Sequence, residues 1–320
     1  MKKLSSLILA LIWLLIAVIL VCFALTKINL KNNSFFSFGR NNQESGMNIG
    51  FNSNKNCKTF NFSIDQINKI QIDFSSEEIE VVSSARNDIL IEYNGNWTDD
   101  IIPFTELNNS VLTITKKERN AFRGSLINPR SVRIDIPNKM DAYDLNLKIS
   151  SGSVHIEDLV LNTANLKLSS GSLFVENLKL DNIDASSNSG RLGINNITAN
   201  KGDFQASSGS IKVEDSKISE ISTNTSSGSV NLDGSFEGIT ANTTSGSIRA
   251  TSVSPLIYDS SLNSTSGSIH LSIPESTSYK LDYSTTSGSF HGGKNKNKGS
   301  SNSASIDLTL NTTSGSIFLD

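Results

Sequence analysis

Leu166-Lys167-Leu168-Ser169-Ser170-Gly171-Ser172-Leu173-Phe174-Val175 is one copy of a unit that returns, with small changes, to the last residues of the chain. The glycines of the nine copies are Gly152, Gly171, Gly190, Gly209, Gly228, Gly246, Gly267, Gly288 and Gly315, spaced by 19, 19, 19, 19, 18, 21, 21 and 27 residues. A period near 19 marks stacked units, each too small to bury an apolar face alone. Aligned on the glycine, the position two residues later is always apolar: Val154, Leu173, Leu192, Ile211, Val230, Ile248, Ile269, Phe290 and Ile317. Four residues later stand Ile156, Val175, Ile194, Val213, Leu232, Ala250, Leu271, Gly292 and Leu319. A two-residue step is a strand with one buried face. The same alternation precedes the glycine, as at Leu145, Leu147 and Ile149, and a third short pair follows at Leu159 and Leu161 or Leu178 and Leu180.

The phase between these three runs sets the cross-section. Inward positions on a straight strand are an even number of residues apart, yet each junction between runs is an odd step, so the chain turns at each. Three turns per unit predict a three-sided β-solenoid with three short strands per coil, all-β in class. The nine glycines are expected at one corner, where a residue without Cβ takes positive φ at no steric cost.

Before the repeats, Met1-Lys2-Lys3 leads into an uninterrupted apolar run from Leu7 to Leu25. As a helix it would span about 28 Å, the thickness of a bilayer core. It is longer than the apolar region of a cleaved signal peptide. Residues 1–28 therefore read as a single-pass N-terminal anchor, with a signal peptide cleaved after Ala24 as the alternative, and the leading positive charges favour keeping that end in the cytoplasm, with the rest extracytoplasmic. Residues 29–58, rich in Asn, Ser, Gly and Phe, read as a tether. Residues 59–143 hold less regular strands, ending at Val132-Arg133-Ile134-Asp135-Ile136-Pro137, and read as degenerate coils capping the repeat region, residues 144–320.

The Val132 to Pro137 strand and the repeated apolar-x-apolar-x-Ser-Ser-Gly-Ser-apolar-x-apolar units resemble the bacterial β-strand-repeat candidate adhesins, the LiaG-like envelope group. The resemblance covers about Asn68 to Asp320. It implies the same architecture, a membrane anchor in many members, no established enzymatic activity, and an association with envelope stress. The chain departs from that pattern in the long gap between Gly288 and Gly315.

Composition narrows the function further. A net charge of -3 over 320 residues gives no reason to expect nucleic acid. Lys294, Lys296 and Lys298 lie in a Gly, Asn, Ser and Lys segment expected to loop out of its coil, where they would be solvated or meet anionic envelope polymers or lipid headgroups. Cys22 sits in the apolar run and Cys57 stands alone beyond it, which leaves no intrachain disulfide for the exported part.

No Gly-x-Ser-x-Gly, phosphate-cradling loop or His-Glu-x-x-His motif occurs. His155, His270 and His291 share an outward column three residues after their glycines, and the spacing predicts that His270 and His291 stack on adjacent coils. Glu157, Glu176, Glu214 and Asp233 form a second outward column, interrupted by Asn195. Neither pattern assigns a catalytic, cofactor or metal site. The reading is a membrane-anchored, non-catalytic binding or adhesin-like module, with an envelope polymer or envelope protein as partner. A scaffold that polymerises through its ends, as bactofilins do, is the first alternative, because the chain stops directly after its last repeat and leaves an open edge. A polysaccharide-active β-helix enzyme is the second.

Overall fold

The structure is a computed structural model that describes residues 57–95, 97, 101–118, 130–292 and 305–320. Residues 1–28, expected as an anchor, nearly all of the expected tether, and Lys294, Lys296 and Lys298 lie outside the described residues. The described chain is all-β: its strands join one 20-stranded sheet, and no helix among them is long and apolar enough to cross a membrane.

From Gly152 to Gly267 the repeats stack in chain order through parallel ladders. β8 (Asp144–Glu157) sets Leu145, Leu147 and Ile149 beside Ala164, Leu166 and Leu168, then Val154 and Ile156 beside Leu173 and Val175. The third run carries its own ladder, with bridges from Val160 to Lys179 and on to Thr198. The three inward runs all contribute to one core, with Leu159, Leu161, Leu178 and Leu180 of the third run among its members. Each fully buried Val, Leu or Ile contributes about 1.5 to 3 kcal/mol. The turn from the second run to the third is made by Asp158, Asn177, Asn196 and Asp215, with φ of 59, 56, 49 and 50°. Asn and Asp tolerate this left-handed conformation better than other residues with a Cβ.

The glycine corner holds a surprise. Only Gly152, Gly171 and Gly190 take positive φ there, at 135, 114 and 152°. What all nine share is proximity: a Cβ on any of them would run into the backbone carbonyl of the residue in the same slot of an adjacent coil. The expectation of positive φ holds for three corners, and close backbone approach explains the glycine in the other six.

At the N-terminal end, β2 (Lys69–Phe74) and β3 (Glu78–Ser84) together form a coil without a glycine. Ile70 pairs with Leu145, and Ile79 with Val154. A second such coil follows from β6 (Val111–Glu118) and β7 (Ser131–Pro137), which pair with the far edges of β2 and β3. Three antiparallel strands finish this end. β4 (Asp88–Asn94) pairs with β7, β1 (Lys58–Ser63) with β4, and β5 (Ile101–Asn108) with β6. Tyr93 pins them from the core: its hydroxyl shares a hydrogen bond with Thr105 Oγ1 (2.8 Å) and donates toward the carbonyls of Phe104 and Thr115. Burial pushes that phenol up to about 12, against the lowering effect of its Thr105 and Thr115 hydrogen bonds.

Space and sequence part company at both ends. β6 and β7 lie between β2/β3 and the antiparallel strands, although they come later in the chain than β4 and β5. At the other end the last coil, Ile306–Ser314 and Ile317–Leu319, sits between the Gly267 coil and the Gly288 coil. The chain steps outward, then returns to fill the gap. The final strands are therefore paired on both edges, which corrects the expectation of an open edge at Asp320. Among the described residues the terminal coil is that of Gly288, where Tyr283 on the inward column is 48% exposed.

Candidate binding groove

The corner that the glycines permit is lined outside by the residues four and two positions before them. Across seven coils these line an open groove of about 760 Å³, with Ser186 and Asn188 at one end and Asn311 and Thr313 near the other. Every lining residue is Ser, Thr, Asn, Gln or Ala, so the groove is polar and carries no charged side chain.

Its order comes from two hydrogen-bonded files. The inner file is hydroxyls three residues before the glycine: Thr225 donates to the Gly209 carbonyl, Thr243 to Gly228, Ser264 to Gly246, Thr312 to Gly267 and Thr285 to Gly315. In the repeating corners the glycine amide is also satisfied, as from Gly228 to the Ser245 carbonyl at 3.0 Å. At these corners side-chain hydroxyls and carbonyls of the adjacent coil take up backbone groups that the strand ladder does not. The outer file is amides four residues before the glycine. Asn242 Nδ2 donates to Asn224 Oδ1 (2.9 Å), Asn263 to Asn242 (2.9 Å) and Asn311 to Asn263 (3.1 Å). Every linking amide points the same way. Each Nδ2 keeps a second N–H and each Oδ1 a second lone pair, so a row of donors and acceptors faces the groove at the coil spacing of about 4.8 Å. Ser226, Thr244, Thr265 and Thr313 add exposed hydroxyls beside it.

The N-terminal end of the glycine column is closed by Glu77, which occupies the slot next to Gly152. Its side chain is fully buried, yet it accepts hydrogen bonds from Lys116 Nζ (2.8 Å) and the Ser75 and Ser76 amides (3.1 and 2.8 Å), with Arg130 Nε at 3.2 Å. Burial pushes its carboxyl up, but the Lys116 and Ser76 hydrogen bonds and the charges of Lys116 and Arg130 outweigh it and hold the group below the usual carboxylate range. The sequence reading did not single out Glu77, since residues 75–77 repeat Ser-Ser without Gly.

The expected stacking of His270 on His291 does not occur. Phe318 of the inserted last coil lies between them, with ring centroids 4.3 Å from His270 and 4.9 Å from His291. Burial and nearby Arg249 lower the His270 pKa, against Asp320. His155 stands elsewhere in the same column, beside Glu157 and Glu176. Cys57 is a free, exposed thiol.

These features define an all-β repeat protein whose stacked corners present an uncharged polar groove. The chain belongs to the Toastrack DUF4097 family, whose model matches residues 67–320. Among solved structures it is similar to a candidate adhesin from Parabacteroides distasonis, with 13% identity, a TM-score of 0.42, and coverage of 82% of this chain and 97% of that one. A candidate adhesin from Bacteroides fragilis shows 14% identity, a TM-score of 0.39 and coverage of 83% and 98%. A candidate cell adhesion protein from Clostridium sporogenes shows 10% identity, a TM-score of 0.23 and coverage of 82% and 98%. Likenesses this distant carry no argument about activity. No curated protein matches the chain.

Proposed function

We propose that the chain is a three-sided β-solenoid held at the extracytoplasmic face of a membrane by residues 1–28, acting as a non-catalytic, adhesin-like binding module for an envelope polymer or envelope protein. The observation that carries this reading is the uncharged groove with its one-way asparagine ladder. A long row of fixed donors and acceptors suits an extended partner that repeats its own polar groups, since weak contacts sum over many coils once the first is made. Hydrolysis of a glycan would call for paired carboxylates, and the groove lining has none. The envelope-stress association and the Lys294, Lys296 and Lys298 contact to anionic surfaces belong to the same proposal.

Two experiments test it. Thr244→Glu with Thr265→Glu places charge on exposed groove positions; cosedimentation with isolated envelope polymers should fall at least tenfold relative to the wild type, and unchanged binding would remove the groove from the reading. Location is read from Cys57 with a membrane-impermeant maleimide on intact cells, any outer membrane being selectively permeabilised, with lysed cells and Cys57→Ser as controls. Burial and the Glu92 charge raise that thiol's pKa, so labelling is run at about pH 8.5. Labelling only after lysis would place the domain in the cytoplasm.

One observation favours the scaffold alternative. Among the described residues the Gly288 coil is the last of the stack, with Tyr283 stacked on Phe290 (4.0 Å) and exposed. Filaments that appear with rising concentration and vanish in Tyr283→Lys would favour end-to-end assembly; a monomer at high concentration would count against it.

A further inference from the structure

We propose that His155, Glu157 and Glu176 form a zinc site on the outer face of the second side, apart from the groove. His155 and Glu157 are two residues apart on one strand and so share its outward face. Parallel register then sets Glu176 directly beside Glu157. One donor atom from each lies within 4.8 Å of the other two, and all three residues are half-buried. His155 Nε2 and Glu157 Oε2 share a hydrogen bond at 3.2 Å, a separation that also suits two donors about 3.3 Å apart on a tetrahedral zinc that would replace the shared proton.

The surroundings favour a cation. Neighbouring acids of this face have basic partners: Glu80 and Asp135 share Arg133, and Glu214 takes Lys212. No ion pair from Lys or Arg to Glu157 or Glu176 is seen among the described residues, although two carboxylates in direct lateral register repel. Glu157 is flanked on its other side by apolar Val82, and His155 lies between Glu80 and Phe174. Asn195 Nδ2 donates to Glu176 Oε1 at 3.0 Å, which holds that carboxylate in place beside Glu157. One imidazole and two carboxylates supply three ligands of the kind zinc takes, with a fourth position open to water.

The test uses the full chain in detergent with Cys22→Ser and Cys57→Ser, so that no thiol competes for metal. Zinc chloride is titrated calorimetrically and by NMR of the three histidine rings. One zinc per chain should bind, shifting the His155 resonances and not those of His270 or His291. His155→Gln and Glu176→Gln should each weaken binding at least tenfold while His270→Gln does not. No binding, binding that shifts His270 or His291 instead, or affinity unchanged in both variants would overturn the site. Circular dichroism confirms that the variants fold, and the wild-type ring shifts decide the matter without them.

Discussion

The glycine corners of the first three repeats and those of the last six solve one problem in two ways. At Gly152, Gly171 and Gly190 the strand runs through the corner, the glycines take positive φ, and Ile149 and Leu168 fill the inside. From Gly209 onward the ladder breaks at the corner, positive φ disappears, and beginning at Gly228 a Thr or Ser inside donates to the preceding glycine carbonyl. One corner is held by backbone conformation and apolar packing, the other by side-chain hydrogen bonds. Ser187 and Ala206 mark the change, and the Ser187 hydroxyl is buried with no hydrogen-bond partner among the described residues. The difference teaches that a repeated motif need not mean a repeated cause. The groove belongs mainly to the second kind of corner, where the asparagine ladder also runs.

The largest effects should come from the glycines. Gly171→Ala and Gly209→Ala both push a Cβ into a carbonyl of the preceding coil, and both should lower thermal stability far more than Asn231→Val on the outer face. Gly171→Ala should cost about 1 to 3 kcal/mol more than Gly209→Ala, because it also forces a side chain into glycine-only φ. Equal losses in chemical denaturation would break the distinction between the corner types.

Next comes the cap. Glu77→Gln keeps the shape but leaves Lys116 and Arg130 without their counter-charge in a buried slot, for an expected loss of about 3 kcal/mol. The wild type should carry a matching acid sensitivity. Because the folded-state pKa of Glu77 is depressed, its contribution is fully present above the unfolded carboxylate value and is lost as pH falls through the folded one. Urea titrations at stepped pH should show that acid loss in the wild type and a shallower one in Glu77→Gln; parallel curves would dissociate the cap from acid stability.

Smaller effects sharpen the second corner. Thr243→Val and Thr312→Val each remove a donor to a glycine carbonyl and should cost about 1 kcal/mol. No measurable loss in either would mean that the hydroxyl file fills space rather than holding the corner. Smallest of all, Ser187→Ala deletes a hydroxyl with no partner and should leave the melting temperature unchanged or raised. A clear drop would show that this hydroxyl is bonded in solution.

Much of this was legible in the repeats. Val154, Leu173 and Leu192 announce a buried column, and the odd steps between runs place the corners where the ladders bend. The asparagine ladder also had a signal, since Asn224, Asn242, Asn263 and Asn311 each stand four residues before a glycine. That column went unread because its early members, Lys148, Lys167, Ser186 and Gln205, differ in kind. The Asp and Asn at the second turn were hidden for another reason: they stand next to the acidic column, and left-handed backbone at Asp158 or Asn177 has no apolar phase to mark it.

By itself, then, the sequence determined the period, the inward faces, the glycine corner and the all-β class, because strand alternation is a local property of side chains two residues apart. Only the tertiary structure decided the order of the coils at the two ends, the place of Glu77 beneath the glycine column, and the insertion of Phe318 between His270 and His291. The physical reason is translation: in a parallel, in-register ladder every coil offers its neighbour nearly the same edge, so nothing local in a repeat states which other repeat will lie against it.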